Sequence, residues 1–185
     1  MNGLILVGGQ STRMGMDKSQ LAYHGKPQWH YLYDLMLPFC KKTFLSCREN
    51  QKDNFTNHPL LIDTYELGPM GGVLSAFEHD SKEAWLVMAC DMPLVNEKTI
   101  EFLIQHRNTT QSATAFQNPE TQLPEPLLTI WEPVAYPFLI EAHKKGQRSP
   151  YRILQNTDIN LLECPQPDWL KNVNTTEELG RISIS

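Results

Sequence analysis

No C-x-x-C pair occurs in this sequence. Its four cysteines, Cys40, Cys47, Cys90 and Cys164, lie far apart, which leaves zinc-ribbon and thiol-redox chemistry unsupported and argues against a secreted disulfide framework. No apolar run approaches the ~18 residues of a membrane span. The N-terminus opens on an apolar run, with no basic segment and cleavage site before it. Positive charge is not in excess: Lys and Arg total 16 against 21 Asp and Glu, for a formal net charge of -5. Attraction of the whole chain to nucleic acid is therefore not expected. The six histidines show neither HxxxH nor HxxE spacing, which disfavours a histidine metal site. The G-x-S-x-G elbow is missing and Ser11 has no histidine nearby in sequence, so acyl transfer lacks support. These absences leave a cytoplasmic, reduced protein with no nucleic-acid or membrane partner.

What is present is an ordinary core-forming composition. In 185 residues, 41% are hydrophobic and 20% charged, which predicts one domain over 1–185. A chain of this length buries roughly 70% of its unfolded surface and needs no structural metal or disulfide.

Strand and helix patterns alternate along the chain. Gly3 to Val7 is a continuous apolar run and reads as a buried strand, followed by a polar, glycine-containing loop from Gly8 to Lys18. His24-Gly25-Lys26 is a turn. Pro27 suits a first helical position, and Trp29, Leu32, Tyr33, Met36 and Leu37 recur at helical spacing. Thr43–Cys47 and Leu60–Asp63 are short strands. Gly68–Gly72 reads as a loop leading into a helix through Val73, Leu74 and Phe77. Ala84–Cys90 is apolar throughout and reads as the central strand. Asn96 caps a helix running to about His106. Ser112–Phe116 and Leu127–Trp131 are strands, with Asn118–Pro126 between them as a loop or hairpin end. Pro133–Lys145 is helical and stopped by Gly146. A short helix over Pro150–Gln155, a strand over Ile159–Cys164 and a last helix opened by the Thr175/Glu178 capping box complete the reading. The expected fold class is α/β with a mostly parallel sheet, and the Ser112–Trp131 stretch supplies an antiparallel strand.

In open α/β sheets ligands bind at the carboxyl ends of strands, which singles out three loops. In Leu6 to Lys18 (LVGGQSTRMGMDK), Gly8 and Gly9 permit close backbone approach, and Arg13 and Lys18 are nearby cations. That combination suits a triphosphate. It is neither G-x-x-x-x-G-K-S/T nor GxGxxG, and a double glycine alone is equally a plain strand-to-helix turn. In Cys90 to Leu94 (CDMPL), Asp91 stands where the most apolar strand ends. It can hold Mg²⁺, a hard cation that prefers oxygen ligands, or merely cap the next turn. Gly68–Gly72 is a close-approach loop over a base or ribose, or a tight connection into the helix. Lys144, Lys145, Arg148 and Arg152 form a basic cluster that is either a solvated helix end or a site for a second phosphorylated substrate.

The thirteen-residue loop closely resembles the L-x-G-G-x-S-x-R-M-G-x-D-K signature of molybdenum cofactor guanylyltransferases, in the wider family of nucleotidyltransferases. The resemblance continues through LAYHGKP (Leu21 to Pro27), Asp63, GPMGG, CDMP and NVNTTEEL (Asn172 to Leu179). It implies a Rossmann-like, three-layer α/β/α fold of the nucleotide-diphospho-sugar transferase type. It implies Mg²⁺ as cofactor, GTP and the molybdopterin cofactor as substrates, and molybdoenzyme-maturation proteins as partners. By the same resemblance Leu6, Val7, Gly8 and Gly9 surround base and phosphates. Lys18 and Arg13 contact the phosphates, Ser46, Asp63 and Gly71 lie on the nucleoside side, and Asp91 holds the metal. Asn172, Asn174 and Arg148 lie toward the pterin. Catalysis would rest on Arg13, Lys18 and Asp91. The chain departs from the pattern at Val7 (commonly alanine), Ser46 (commonly asparagine), Glu125-Pro126 (commonly histidine-proline) and Arg148-Ser149 (commonly two arginines). These departures bear on base and acceptor, so a cytidylyltransferase for the same cofactor, or another nucleotidyltransferase of the wider family, is the alternative. Two other classes stand against it. A nicotinamide or flavin enzyme is opposed by the missing GxGxxG, and a non-catalytic nucleotide-binding module is opposed by the joint presence of Arg13, Lys18 and Asp91.

Overall fold

The computed structural model describes residues 1–8, 18–65 and 67–172. The side chain of Lys18, the residues Gly9, Arg13 and Asn174, and the expected C-terminal helix at Thr175 and Glu178 lie outside the described residues.

Seven strands form one sheet: β1 (Asn2–Leu6), β2 (Thr43–Cys47), β3 (Leu60–Ile62), β4 (Trp85–Ala89), β5 (Ala113–Gln117), β6 (Pro124–Trp131) and β7 (Ile159–Glu163). Their order is β3-β2-β1-β4-β6-β5-β7. β6 runs antiparallel to both of its neighbours, and the other pairings are parallel. Among the described residues five α-helices accompany the strands: α1 (Gln28–Met36), α2 (Pro69–His79), α3 (Glu97–Gln105), α4 (Tyr136–Lys144) and α5 (Pro150–Gln155).

The three layers follow from the period-two alternation of the strands. Ile5, Leu45, Leu86 and Met88 point to one face, where they pack with Trp29, Leu32 and Met36 of α1 and Ile100 and Leu103 of α3. Their neighbours Leu4, Phe44, Trp85 and Val87 point to the other. There they meet Met70, Val73, Leu74 and Phe77 of α2, Leu139 of α4, and Ile153 and Leu154 of α5. β4 is buried on both faces, which explains its unbroken apolar run.

Two expectations shift. Pro69–Gly72 is not loop but the first turn of α2, with Gly68 just outside it at φ 63°. Pro69 has the φ that a first helical position needs and no N–H to lose there, and glycines are kept inside the helix by the contacts described below. The stretch Asn118–Pro126 is loop only in its first part, because β6 begins at Pro124. The short 3-10 segments Glu49–Phe55 and Pro167–Leu170 carry no hydrophobic period long enough to read from sequence.

The sheet also sets where a ligand can sit. β1 pairs with β2 on one side and β4 on the other, so the chain reverses its direction of travel across the sheet between them. Such a switch point opens a crevice beyond the strand ends.

Candidate active site

The crevice is present and is lined from five strands. Leu6, Val7 and Gly8 leave β1, Ser46 comes from β2, Asp63 follows β3, Ala89, Cys90 and Asp91 end β4, and Leu127 enters from β6. Gly68, Pro69 and Gly72 of the α2 entrance, and Ser19, close it further. Leu6 pairs with Ala89. Gly8 and Asp91 therefore stand equally far past the paired ends of the two central strands.

The β1 exit is tight. The N–H groups of Val7 and Gly8 both donate to the carbonyl of Ser46, each at 3.0 Å. A Cβ on Gly8 would lie 3.2 Å from the Cα of Cys47. These two amides are thus engaged within the protein and hold the β1 exit close to β2.

α2 is pressed onto the strand ends through its two glycines. A Cβ on Gly71 would lie 2.3 Å from Oδ1 of Asp63, and one on Gly72 would lie 2.5 Å from Leu6 Cδ2 and 2.7 Å from Ser46 Oγ. Asp63 is oriented by the N–H of Tyr65, which donates to its Oδ1 at 2.9 Å, while its own N–H donates to Cys47 at 2.8 Å. Gly71 thus acts by placing Asp63, and Gly72 lines the crevice itself. The N-terminal turn of α2 opens onto the same space, and its partial positive charge favours a phosphate there.

Asp91 is half-buried at the end of β4. The β4–β6 register pairs Met88 with Leu128. Just past this pairing Asp91 lies close enough to Glu125 for its charge to act on that side chain. Glu125 is 8% exposed, and its Oε1 accepts from the N–H of Leu127 at 3.1 Å. Burial pushes this carboxyl above its ordinary value, and the charge of Asp91 pushes it the same way, opposed by the Leu127 N–H and the Asn118 side chain. Tyr23 completes the group. Burial, then Asp91 and Cys90, raise its phenol, and its Oη is buried with no hydrogen-bond partner among the described residues.

Two neighbouring carboxylates fit a hard divalent cation, which relieves their mutual repulsion. Among the described residues no group of three or more His, Cys, Asp or Glu could hold a metal. The chain therefore offers an incomplete set that substrate oxygens and water would complete, which is the habit of Mg²⁺.

The sequence had singled out most of this. Leu6, Val7, Gly8, Ser46, Asp63 and Asp91 converge on the crevice, with Gly71 just behind it. Arg148 and Asn172 do not line it: both are exposed, Arg148 on the α4–α5 loop and Asn172 at the end of the described chain. Ser19, Tyr23 and Leu127 were missed as site residues, and Glu125 was noticed only as a departure. Strand alternation puts Glu125 and Leu127 on one face of β6, but it does not say that this face meets the crevice.

Residues 3–161 match the family described as MobA-like NTP transferase domain. A bifunctional molybdenum cofactor biosynthesis protein of Synechocystis is 35% identical over 98% of the chain, which spans about half, 53%, of that relative's length. A molybdenum cofactor guanylyltransferase of Pseudomonas putida is 30% identical, over 95% of this chain and 94% of its own. Among solved structures, molybdopterin-guanine dinucleotide biosynthesis protein A of Archaeoglobus fulgidus superposes with a TM-score of 0.80 at 23% identity, over 98% and 96% of the two chains. A 2-C-methyl-D-erythritol 4-phosphate cytidylyltransferase of Thermus thermophilus shares the fold at a TM-score of 0.72 and 11% identity, over 96% and 95%. The match over most of its length and the near-full-length relative at 30% identity place this chain in one family: it belongs to the MobA-like NTP transferases and is a nucleotidyltransferase.

Proposed function

We propose that the chain, acting as one nucleotidyltransferase domain over 1–185, transfers GMP from GTP to the molybdopterin cofactor and releases pyrophosphate. The observation that carries the reading is the placement of Asp91 at the β1–β4 switch point, in one crevice with the α2 N-terminus, Ser46 and Asp63. The guanylyltransferases among its relatives support the choice of base and acceptor.

The acceptor phosphate is already an anion, so its oxygen attacks the α-phosphorus in line without a strong general base. Positioning and charge neutralisation then do most of the catalysis. Asp91, with Glu125 beside it, would hold Mg²⁺, which when bound draws charge from the phosphate oxygens. The α2 N-terminus stabilises phosphate charge from the other side. Asp63, held by the Tyr65 N–H, would accept hydrogen bonds from the base or ribose, and Ser46 lines the same crevice. Lys18 and Arg13 offset the charge of the departing pyrophosphate. We place the reaction in the cytoplasm, with molybdoenzyme-maturation proteins as receivers of the product.

Mass spectrometry of the product tests the choice of substrates. Incubation of the purified protein with Mg²⁺, molybdopterin cofactor and equal GTP, CTP and ATP should yield the cofactor enlarged by one GMP. Enlargement by CMP would instead favour the cytidylyl alternative, for which Ser46 is the specific observation.

A further inference from the structure

We propose that His24, Gln28 and Tyr31 are positioning residues that hold the loop carrying Asp91 in register with the segment leaving the phosphate-binding loop. The inference rests on Asp91 being the metal-holding carboxylate.

Among the described residues, the hydrogen bonds that join Met92 to Val95 and Leu94 to Asn96 hold this loop from within. Its internal bonds are long: Val95 N to Met92 O is 3.5 Å, and Asn96 Nδ2 to Leu94 O is 3.4 Å. Pro93 removes one further donor. Three side chains reach it from outside. His24 Nε2–H donates to the Pro93 carbonyl at 2.8 Å, Tyr31 Oη donates to the Val95 carbonyl at 3.1 Å, and Gln28 Nε2 approaches the Met92 carbonyl at 3.5 Å. By these distances His24 holds most strongly, Tyr31 next and Gln28 least.

The three donors form one unit. The His24 ring stacks on Tyr31 with centroids 3.7 Å apart and planes 12° from parallel. Gly25, at φ 71°, makes the turn that sends His24 back toward the loop. The N–H of Gln28 donates to Leu21 at 2.9 Å, tying α1 to the strand of chain that follows Lys18. Burial raises the Tyr31 phenol above its ordinary value, which keeps it a donor across the neutral range. The chain that carries Lys18 and the chain that carries Asp91 are thereby clamped directly to each other, beside the crevice. A loop that moved would carry the carboxylate out of reach of the phosphates, and groups that orient a metal ligand commonly change metal affinity by about 10–100-fold when removed.

The test uses Mn²⁺ as a spectroscopic stand-in and a non-hydrolysable α,β-methylene analogue of GTP, with the full-length protein. Electron paramagnetic resonance titration should show His24→Ala with Tyr31→Phe binding Mn²⁺ about tenfold more weakly in the presence of the analogue. Analogue affinity without divalent ion should be unchanged, and amide exchange at Leu94–Asn96 should quicken. His24→Gln, which keeps a side-chain N–H, should recover most of the Mn²⁺ affinity. If the double variant does not fold, Tyr31→Phe alone keeps the stacked ring and should give a smaller loss of the same kind. A lowered melting temperature with unchanged Mn²⁺ binding would overturn the inference. Failure of the wild-type protein to bind Mn²⁺ with the analogue would instead sink the functional reading beneath it.

Discussion

Asp91, two residues past the end of β4, lies close enough to Glu125 on the neighbouring antiparallel strand β6 for its charge to act on that carboxyl. The second carboxylate has a consequence for stability. Burial, its largest cause, and the charge of Asp91 raise the Glu125 carboxyl above 4.5 in the folded protein. A raised folded value means that the fold binds the proton more tightly than the unfolded chain does. The stabilising contribution is therefore complete below about pH 4.5 and is lost as pH rises through the folded value. Glu125→Gln should escape this loss. In chelator-treated protein the variant should be more stable than wild type at neutral pH, with the gap closing toward acid. Denaturant melts across that range would refute the assignment if the gap did not change with pH.

Tyr23 lies close enough to Asp91 to feel its charge, and among the described residues its buried hydroxyl has no hydrogen-bond partner. An unsatisfied buried hydroxyl costs about 1–3 kcal/mol. Tyr23→Phe should therefore raise the stability of the ligand-free protein by about 1 kcal/mol, read as an increased denaturant midpoint with unchanged slope. A loss of stability would show that the hydroxyl has a partner in solution.

Gly71 is the position where α2 leaves no room. Alanine there would put a Cβ 2.3 Å from the carboxylate of Asp63, and overpacking of this kind costs about 1–3 kcal/mol. Asp63 is the group that yields, so Gly71→Ala should show a stability loss of about that size and, in addition, bind nucleotide about tenfold or more weakly. Isothermal titration with GTP in Mg²⁺ checks this, and equal affinity would separate Asp63 from the nucleotide.

Stability far from the crevice rests partly on one ion pair. The guanidinium of Arg107 grips Glu132 through Nε at 2.5 Å and through the second nitrogen at 2.8 Å, and the Glu132 side chain is 2% exposed. Arg107→Ala would strand that carboxylate in the interior. A loss of about 3–5 kcal/mol is expected, with transfer activity retained at low temperature. Loss of activity without loss of stability would contradict a purely structural role.

The strands and helices were largely legible in the sequence because their hydrophobic periods are long and clean, as in Trp85–Ala89 and Trp29–Met36. Gly68–Gly72 misled because Gly71 and Gly72 read as loop when counted by type. Their glycines answer to Asp63, Leu6 and Ser46, which are distant in sequence. Among site residues, Asp91 and Gly8 were visible because each ends an apolar run. Glu125 was visible only as an odd residue, since its meaning depends on a register with β4 that no local pattern encodes. Tyr23 and His24 were invisible for the same reason: the groups that give them meaning, Asp91 for Tyr23 and the Pro93 carbonyl for His24, lie nearly seventy residues away.

The central claim is nucleotidyl transfer organised around Asp91, and the most direct measurement is pyrophosphate release with GTP and molybdopterin cofactor as Mg²⁺ is varied. The wild-type protein should release pyrophosphate only when Mg²⁺ and acceptor are both present, and Asp91→Asn should lose at least about 10²–10³-fold in kcat while keeping its fold. Release at near wild-type rate by Asp91→Asn, or release by the wild type without divalent ion, would contradict the account.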